Sequence, residues 1–171
     1  MDDETIRVVV GLRLRTTIYE PHTCRCGAMV TANGSHGLSC GLGPGRIARH
    51  ATINDIISRC LTKARMPNIK EPPGLSRTDA KKPDVLTLIP WRGGRSLVRD
   101  ATIIDTVAPS YLHATQAAPG AAAELAATRK ITKYDHLLDS HHFVPVAFET
   151  LDRIKNSGIE FIEDPCKHLT L

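Results

Sequence analysis

Lys81 to Thr102 reads KKPDVLTLIPWRGGRSLVRDAT. Two β-branched apolar runs, PDVLTLIP and SLVRDATIID, flank WRGGR, and a Gly-Gly pair between such runs is a hairpin signal. The stretch predicts an antiparallel hairpin with Asp84 opening the first strand and Asp100 midway along the second, although aspartate is disfavoured in strands. Antiparallel pairing folds the two back toward each other. Converging carboxylates make an oxygen-rich pocket for a hard cation such as Mg²⁺ or Mn²⁺, which takes one or two carboxylates together with waters and phosphate oxygens. Singly, each has a plainer reading: Asp84 follows Pro83 as a turn residue, and Asp100 faces solvent beside an arginine. Arg99 is either buried in its strand or aimed at a substrate.

Outward from the hairpin, NIKEPPGLS reads as a short strand ended by Pro72 and Pro73. Before it, GLGPGRIARHATINDIISRCLTKARM reads as a helix, with Ile53, Ile56, Ile57, Cys60, Leu61 and Ala64 at helical spacing after a Gly-Pro-Gly boundary. After the hairpin come an alanine-rich helix in PGAAAELAATRKITKYDHLL, a strand in HFVPVAFET and a short helix from near Leu151. ETIRVVVGLRLR is β-branched enough for a strand and spaced well enough for a helix. The expected class is α/β with a mixed sheet, in the order helix, three strands, helix, strand.

Residues 22 to 43 contain Cys24, Cys26, His36 and Cys40, with glycines at 27, 34, 37 and 41 between or beside them. Four soft ligands fill a closed tetrahedral site, which predicts a structural zinc and excludes an open catalytic one. Glycines suit the positive φ angles of a tight metal loop. The plainer alternative is three reduced thiols near an unrelated histidine. The organisation read from this is a zinc-bearing segment over 1–43 and a second domain over 44–171. Cys60 and Cys166 read as small apolar residues.

The 171 residues are 42% hydrophobic and 23% charged with a formal charge of +4, the profile of an ordinary globular protein. That charge is compatible with nucleic acid without requiring it. No apolar run approaches the roughly 20 residues of a membrane span, and the N-terminus is acidic where a signal peptide is basic. An intracellular protein is expected.

KKPD followed by a strand aspartate resembles the PD-(D/E)xK nuclease motif. The resemblance extends through the ordered set of the Cys-Cys-His-Cys cluster, GRIARHATINDII, EPPGLSRTDAKKPDVLTLIPW, LVRDATIIDT, AAELAATRKITKYDHL and FVPVAFETL. Together these look like the C-terminal zinc-knuckle and restriction-like endonuclease region of site-specific non-LTR retrotransposon polyproteins, over roughly Cys24 to Leu151.

That resemblance implies an αβββαβ restriction-endonuclease-like core behind a zinc-binding loop, with structural Zn²⁺ and catalytic Mg²⁺ or Mn²⁺. It implies a metal-dependent endodeoxyribonuclease acting on DNA, with element RNA as a further partner and the nucleus as its place of work. A reverse transcriptase ordinarily accompanies such a region and is not in this chain. Asp84 and Asp100 match the family's metal-holding acids, Glu71 its upstream acid, and Arg49 and His50 its arginine-histidine pair. Thr102 stands where a restriction-type lysine is expected, and related nucleases move that lysine to the following helix.

Helix geometry with Ala127, Ile131, Tyr134 and Leu138 facing the sheet puts Lys130 beside the buried stripe and turns Lys133 toward water, with Glu124 on the other edge. Lys130 is the expected amine and Lys133 the second choice. Arg25, Arg46 and Arg49 stand near the zinc loop, where they suit phosphate contacts. His50 is expected either at the DNA or in the core. Asp79 and Asp105 read as solvated, and Trp91 as packed in the hairpin turn. The alternatives to a nuclease are a catalytically silent zinc-containing nucleic-acid-binding module on the same fold, and a zinc-stabilised interaction protein with a coincidental aspartate pair.

Overall fold

The structure is a computed structural model that describes residues 2–76, 81–106 and 108–150. The ambiguous N-terminal run forms helix α1 (Asp3–Leu14). Asp2 caps it by accepting a hydrogen bond from Thr5 N at 2.7 Å, and Asp3 and Glu4 occupy the first turn, where negative charge suits the helix dipole. Capping thus decides what periodicity left open. A small antiparallel pair, β1 (His22–Thr23) and β2 (Met29–Val30), and a single turn, α2 (His36–Ser39), follow.

Helix α3 (Pro44–Lys63) starts with Pro44 at its first position, where the missing N–H costs nothing. Ile57 and Leu61 are buried, with Ile53 packed beside them, whereas Ile56 and Cys60 are exposed. The buried face of α3 is therefore narrower than the full apolar set, and Cys60 is not a core residue. Strand β3 (Asn68–Lys70) leads to β4 (Val85–Arg92) and β5 (Arg95–Ile104). Gly93 and Gly94, with φ of 55° and 74°, make the turn between them. Two successive positive φ angles match the right-handed strand twist, and glycine alone adopts them freely.

An unforeseen helix, α4 (Pro109–Ala117), comes next. None of its residues is fully buried and only Tyr111 and Ala114 pack inward, so its sequence carries too short an apolar stripe to detect. After it come α5 (Ala121–Lys133), a 3₁₀ turn (Asp135–Leu137) and β6 (His142–Glu149). The main sheet has the order β3-β4-β5-β6, antiparallel except for β5 and β6, which run parallel. A parallel pair needs a crossover connection, here supplied by α4 and α5. The mixed α/β order expected from Gly45 onward is present with one helix added. The expected short helix from Leu151 lies outside the described residues, as do Asp79 and Cys166.

Helices cover both faces of the sheet. Ile57 and Leu61 of α3 pack on Val85, Leu97 and Val146, with Trp91 against the same cluster. On the other face Ala122, Ala123, Ala126 and Ala127 of α5 pack on Ile104 and Ala147, and Tyr134 on Val98 and Phe143. The buried face of α5 is the small-residue one. Ile131 and Leu138, expected to face the sheet, are exposed at 36% and 40%. Alanines let the helix sit close to the strands, and the same rotation carries Lys130 into the stripe Ala123, Ala126, Ala127, Tyr134. Arg99 is completely buried in β5.

Candidate metal centres and cleft

Pro83 cannot donate a ladder hydrogen bond, and the chain enters β4 through it. Its neighbour Lys82 is held by its carbonyl, which accepts from the Tyr134 hydroxyl at 2.9 Å. Asp84 then donates its own N–H to Arg99 O at 2.8 Å, and its Oδ2 accepts the N–H of Ala101 at 2.5 Å. Ala101 is 1% exposed, so that N–H needs a partner inside the protein. The carboxylate supplies it. Asp84 is thus fixed just before β4, against the residue that follows Asp100.

Asp100 is 3% exposed and points to the α5 side, where Lys130 Nζ lies 2.5 Å from its Oδ2. Lys133 Nζ stands 4.0 Å from the same oxygen and donates to the Tyr134 hydroxyl at 2.8 Å. Lys133 is therefore not turned to water: the two lysine side chains are 22% and 24% exposed. From the opposite helix, His50 Nε2 reaches to 3.5 Å from Asp84 Oδ2. The hairpin aspartates thus meet basic side chains from both covering helices, and neither reads as a solvated strand residue.

The electrostatics divide the pair. Burial pushes the Asp84 carboxyl up, but the hydrogen bond with His50 and the Ala101 N–H outweigh it and hold it below the ordinary value. Burial also pushes Asp100 up, and there the opposing charge of Lys130 does not win, because the Asp84 charge adds to the rise. Two like charges in one low-dielectric site split in this way. The hydrogen bond to Asp84 raises His50. Burial lowers the Arg99 guanidinium to about 10 against the charges of both aspartates.

An open cleft of about 700 Å³ joins these groups, with Arg46, His50, Glu71, Asp84, Thr102 and Lys130 among its walls. Asp100 does not line it directly and is reached through Lys130. Glu71 donates its backbone N–H to Asp84 O at 2.8 Å and has φ of 45°, a strained region for a residue that is not glycine. Arg49 does not face the cleft; it donates to Leu38 O at 3.0 Å and ties α3 to α2. Arg25 is exposed on the zinc loop and Glu124 on the surface of α5. Asp105 is buried, contrary to expectation. Asn54, overlooked in the sequence, lies 3.3 Å from His50 Nδ1 on the cleft wall. Its spacing of one helical turn from His50 was the available signal.

Asp84 lines the cleft, and Asp100 stands behind Lys130. The oxygens that accept from the Ala101 N–H and from Lys130 are both Oδ2. Glu71 does not close a third position, since the acids do not form a tight group of three among the described residues.

The second group is Cys24, Cys26, His36 and Cys40, whose ligand atoms all lie within 4.8 Å of one another. The Cys24 and Cys40 sulfurs are 3.7 Å apart, and Cys26 Sγ is 3.3 Å from His36 Nε2. Thiolates at about 2.3 Å from one tetrahedral zinc stand about 3.8 Å apart, and a thiolate and an imidazole nitrogen about 3.6 Å. The cluster fits that ion. Gly27 and Gly34, with φ of 85° and 71°, turn the chain between ligands. A backbone hydrogen bond from Cys26 and then the His36 side chain bring the Cys24 thiol down to about 6, toward the thiolate that binds metal.

No protein-family model matches the chain, and no curated protein matches it. Among the described residues no helix is long and apolar enough to cross a membrane. The mixed α/β sheet and the four-ligand cluster able to hold a metal such as zinc therefore stand on the chain's own geometry.

Proposed function

We propose that the chain is a metal-dependent DNA endonuclease with a restriction-like αβββαβ core, of the kind carried by site-specific non-LTR retrotransposons, working in the nucleus. The observation that carries this reading is that Asp84, from the entry to β4, and Lys130, from α5, line one cleft, and that Lys130 bonds Asp100 of β5 just behind it. A nuclease of this class needs two acids and an amine together, and Thr102 leaves the strand without the amine. Lys130 supplies it from α5.

In this reading Asp84 and Asp100 hold Mg²⁺ or Mn²⁺, which when bound polarises a phosphate oxygen and acidifies an attacking water. Lys130, beside Asp100, would place its ammonium against the charge that develops on the scissile phosphate. Arg46, exposed on the cleft wall, contacts a neighbouring phosphate and fixes register without reading sequence. The zinc loop, joined to α3 through Arg49, holds the wall from behind; element RNA is a further partner of that loop. Zn²⁺ here is structural, with all four positions filled by protein.

Conversion of supercoiled plasmid to the nicked circle by zinc-loaded protein in Mg²⁺ tests the proposal. Nicking that stops when Mg²⁺ is withdrawn is the expected result, and a folded protein that never nicks contradicts it. A second reading, a silent zinc-containing nucleic-acid-binding module, is favoured by the position of Glu71, which does not complete a three-acid group. It predicts DNA binding without nicking.

A further inference from the structure

Asn54 follows His50 by one turn of α3, and its Nδ2 lies 3.3 Å from His50 Nδ1. On the far side of the ring, Nε2 lies 3.5 Å from Asp84 Oδ2. His50 is held at both nitrogens, by an amide on one side and a carboxylate on the other. An ionised carboxylate only accepts, so the nitrogen facing it carries the proton. In the neutral ring Nδ1 is then the lone-pair nitrogen and takes the hydrogen bond of Asn54 Nδ2. In the cationic ring Nδ1 is itself a donor, and the amide serves it by turning end for end to present Oδ1.

Oδ1 of Asn54 is buried and has no hydrogen-bond partner among the described residues. The turned amide gives it one. An amide can therefore hold the ring in both charge states, which a carboxylate or an aliphatic side chain cannot.

We infer that Asn54 is a positioning residue that clamps the His50 ring through Nδ1, so that Nε2–H always faces Asp84 and the cleft. The functional consequence rests on the nuclease reading. A base that deprotonates water needs a lone pair toward the cleft, and the clamp puts a proton there. His50 is then a hydrogen-bond donor to a phosphate oxygen, and water activation falls to other groups.

The test uses the full zinc-loaded chain, native and with Asn54→Leu or Asn54→Asp, which keep the branched shape of the side chain. Long-range ¹⁵N–¹H correlation spectra at a pH where the ring is neutral report which nitrogen of His50 carries the proton. A single Nε2–H form in the native protein that becomes a mixture in Asn54→Leu is expected. An Nδ1–H form in the native protein, or no change in Asn54→Leu, overturns the clamp.

Plasmid nicking separates positioning from mere support. Asn54→Leu is expected to lower kcat roughly 10- to 100-fold with KM nearly unchanged. Asn54→Asp, which can only accept from Nδ1–H and so serves the cationic ring alone, is expected to restore activity at low pH and not where the ring is neutral. If both variants lose activity only in step with their melting temperatures, the donor role is overturned while the nuclease stands. If the native protein does not nick, the nuclease reading fails and the spectra alone decide the clamp.

Discussion

Lys130 and Asp100 come from different elements, α5 and β5, yet Nζ and Oδ2 stand 2.5 Å apart with both side chains largely buried. A buried carboxylate beside a second one needs a cation, and without a divalent ion the lysine is that cation. In the proposed nuclease, this contact brings an amine to Asp100 although Thr102 occupies the strand position.

Lys130→Ala is expected to lower plasmid nicking about 10²- to 10³-fold, the usual loss on removing one preorganised donor. Lys133→Ala is expected to lower it less than tenfold, since Lys133 is 4.0 Å from Asp100 and bonds the Tyr134 hydroxyl. Equal losses in the two variants, measured as kcat/KM, contradict the assignment.

In zinc-loaded protein without Mg²⁺ or Mn²⁺, His50 is expected to titrate above its ordinary 6.5, because its hydrogen bond to Asp84 raises it. A raised histidine contributes stability that is fully present below its unfolded value and is lost as pH rises through the raised one. Asp84→Asn is expected to bring the His50 titration down, as followed by NMR. A titration unchanged in that variant contradicts the contact.

Removing zinc with a chelator, or replacing Cys26 by Ser, is expected to lower the melting temperature and release one zinc per chain, because metal binding and local folding are coupled. The Arg49 bond to Leu38 O ties the cluster to α3. DNA affinity is therefore expected to fall with the zinc. Full retention of both melting temperature and DNA binding contradicts a structural role.

Leu61→Ala, at a completely buried position under Val85 and Leu97, is expected to cost about 2–5 kcal/mol. Ile131→Ala, on the exposed side of α5, is expected to cost about 0.5 kcal/mol or less. Denaturant midpoints in urea measure both. A larger cost at Ile131 contradicts the rotation that brings Lys130 inward.

The hairpin and its aspartates were legible because a Gly-Gly turn and two β-branched runs leave one pairing, and pairing fixes which residues meet. The Cys24, Cys26, His36 and Cys40 cluster, able to hold a metal such as zinc, was legible from residue type and spacing. The face of α5 was not, because Ile131 and Leu138 outweigh alanines on any hydrophobicity reading, while the close packing against Ala147 and Ile104 selects the alanines. For the same reason Lys133 was placed in water. Helix α4 left little signal because only Tyr111 and Ala114 pack inward and none of its residues is fully buried, and α1 was settled by a cap at Asp2 that periodicity does not weigh. Asn54 escaped because a lone polar residue in a helix acquires meaning only once the histidine beside it is seen between an amide and a carboxylate.

The most direct measurement is nicking of supercoiled plasmid in Mg²⁺ by zinc-loaded native protein beside Asp84→Ala, Asp100→Ala and Lys130→Ala. The account predicts metal-dependent nicking by the native chain and its loss in all three variants, each still folded and zinc-loaded. Nicking that survives in either aspartate variant, or none from the native protein, contradicts it.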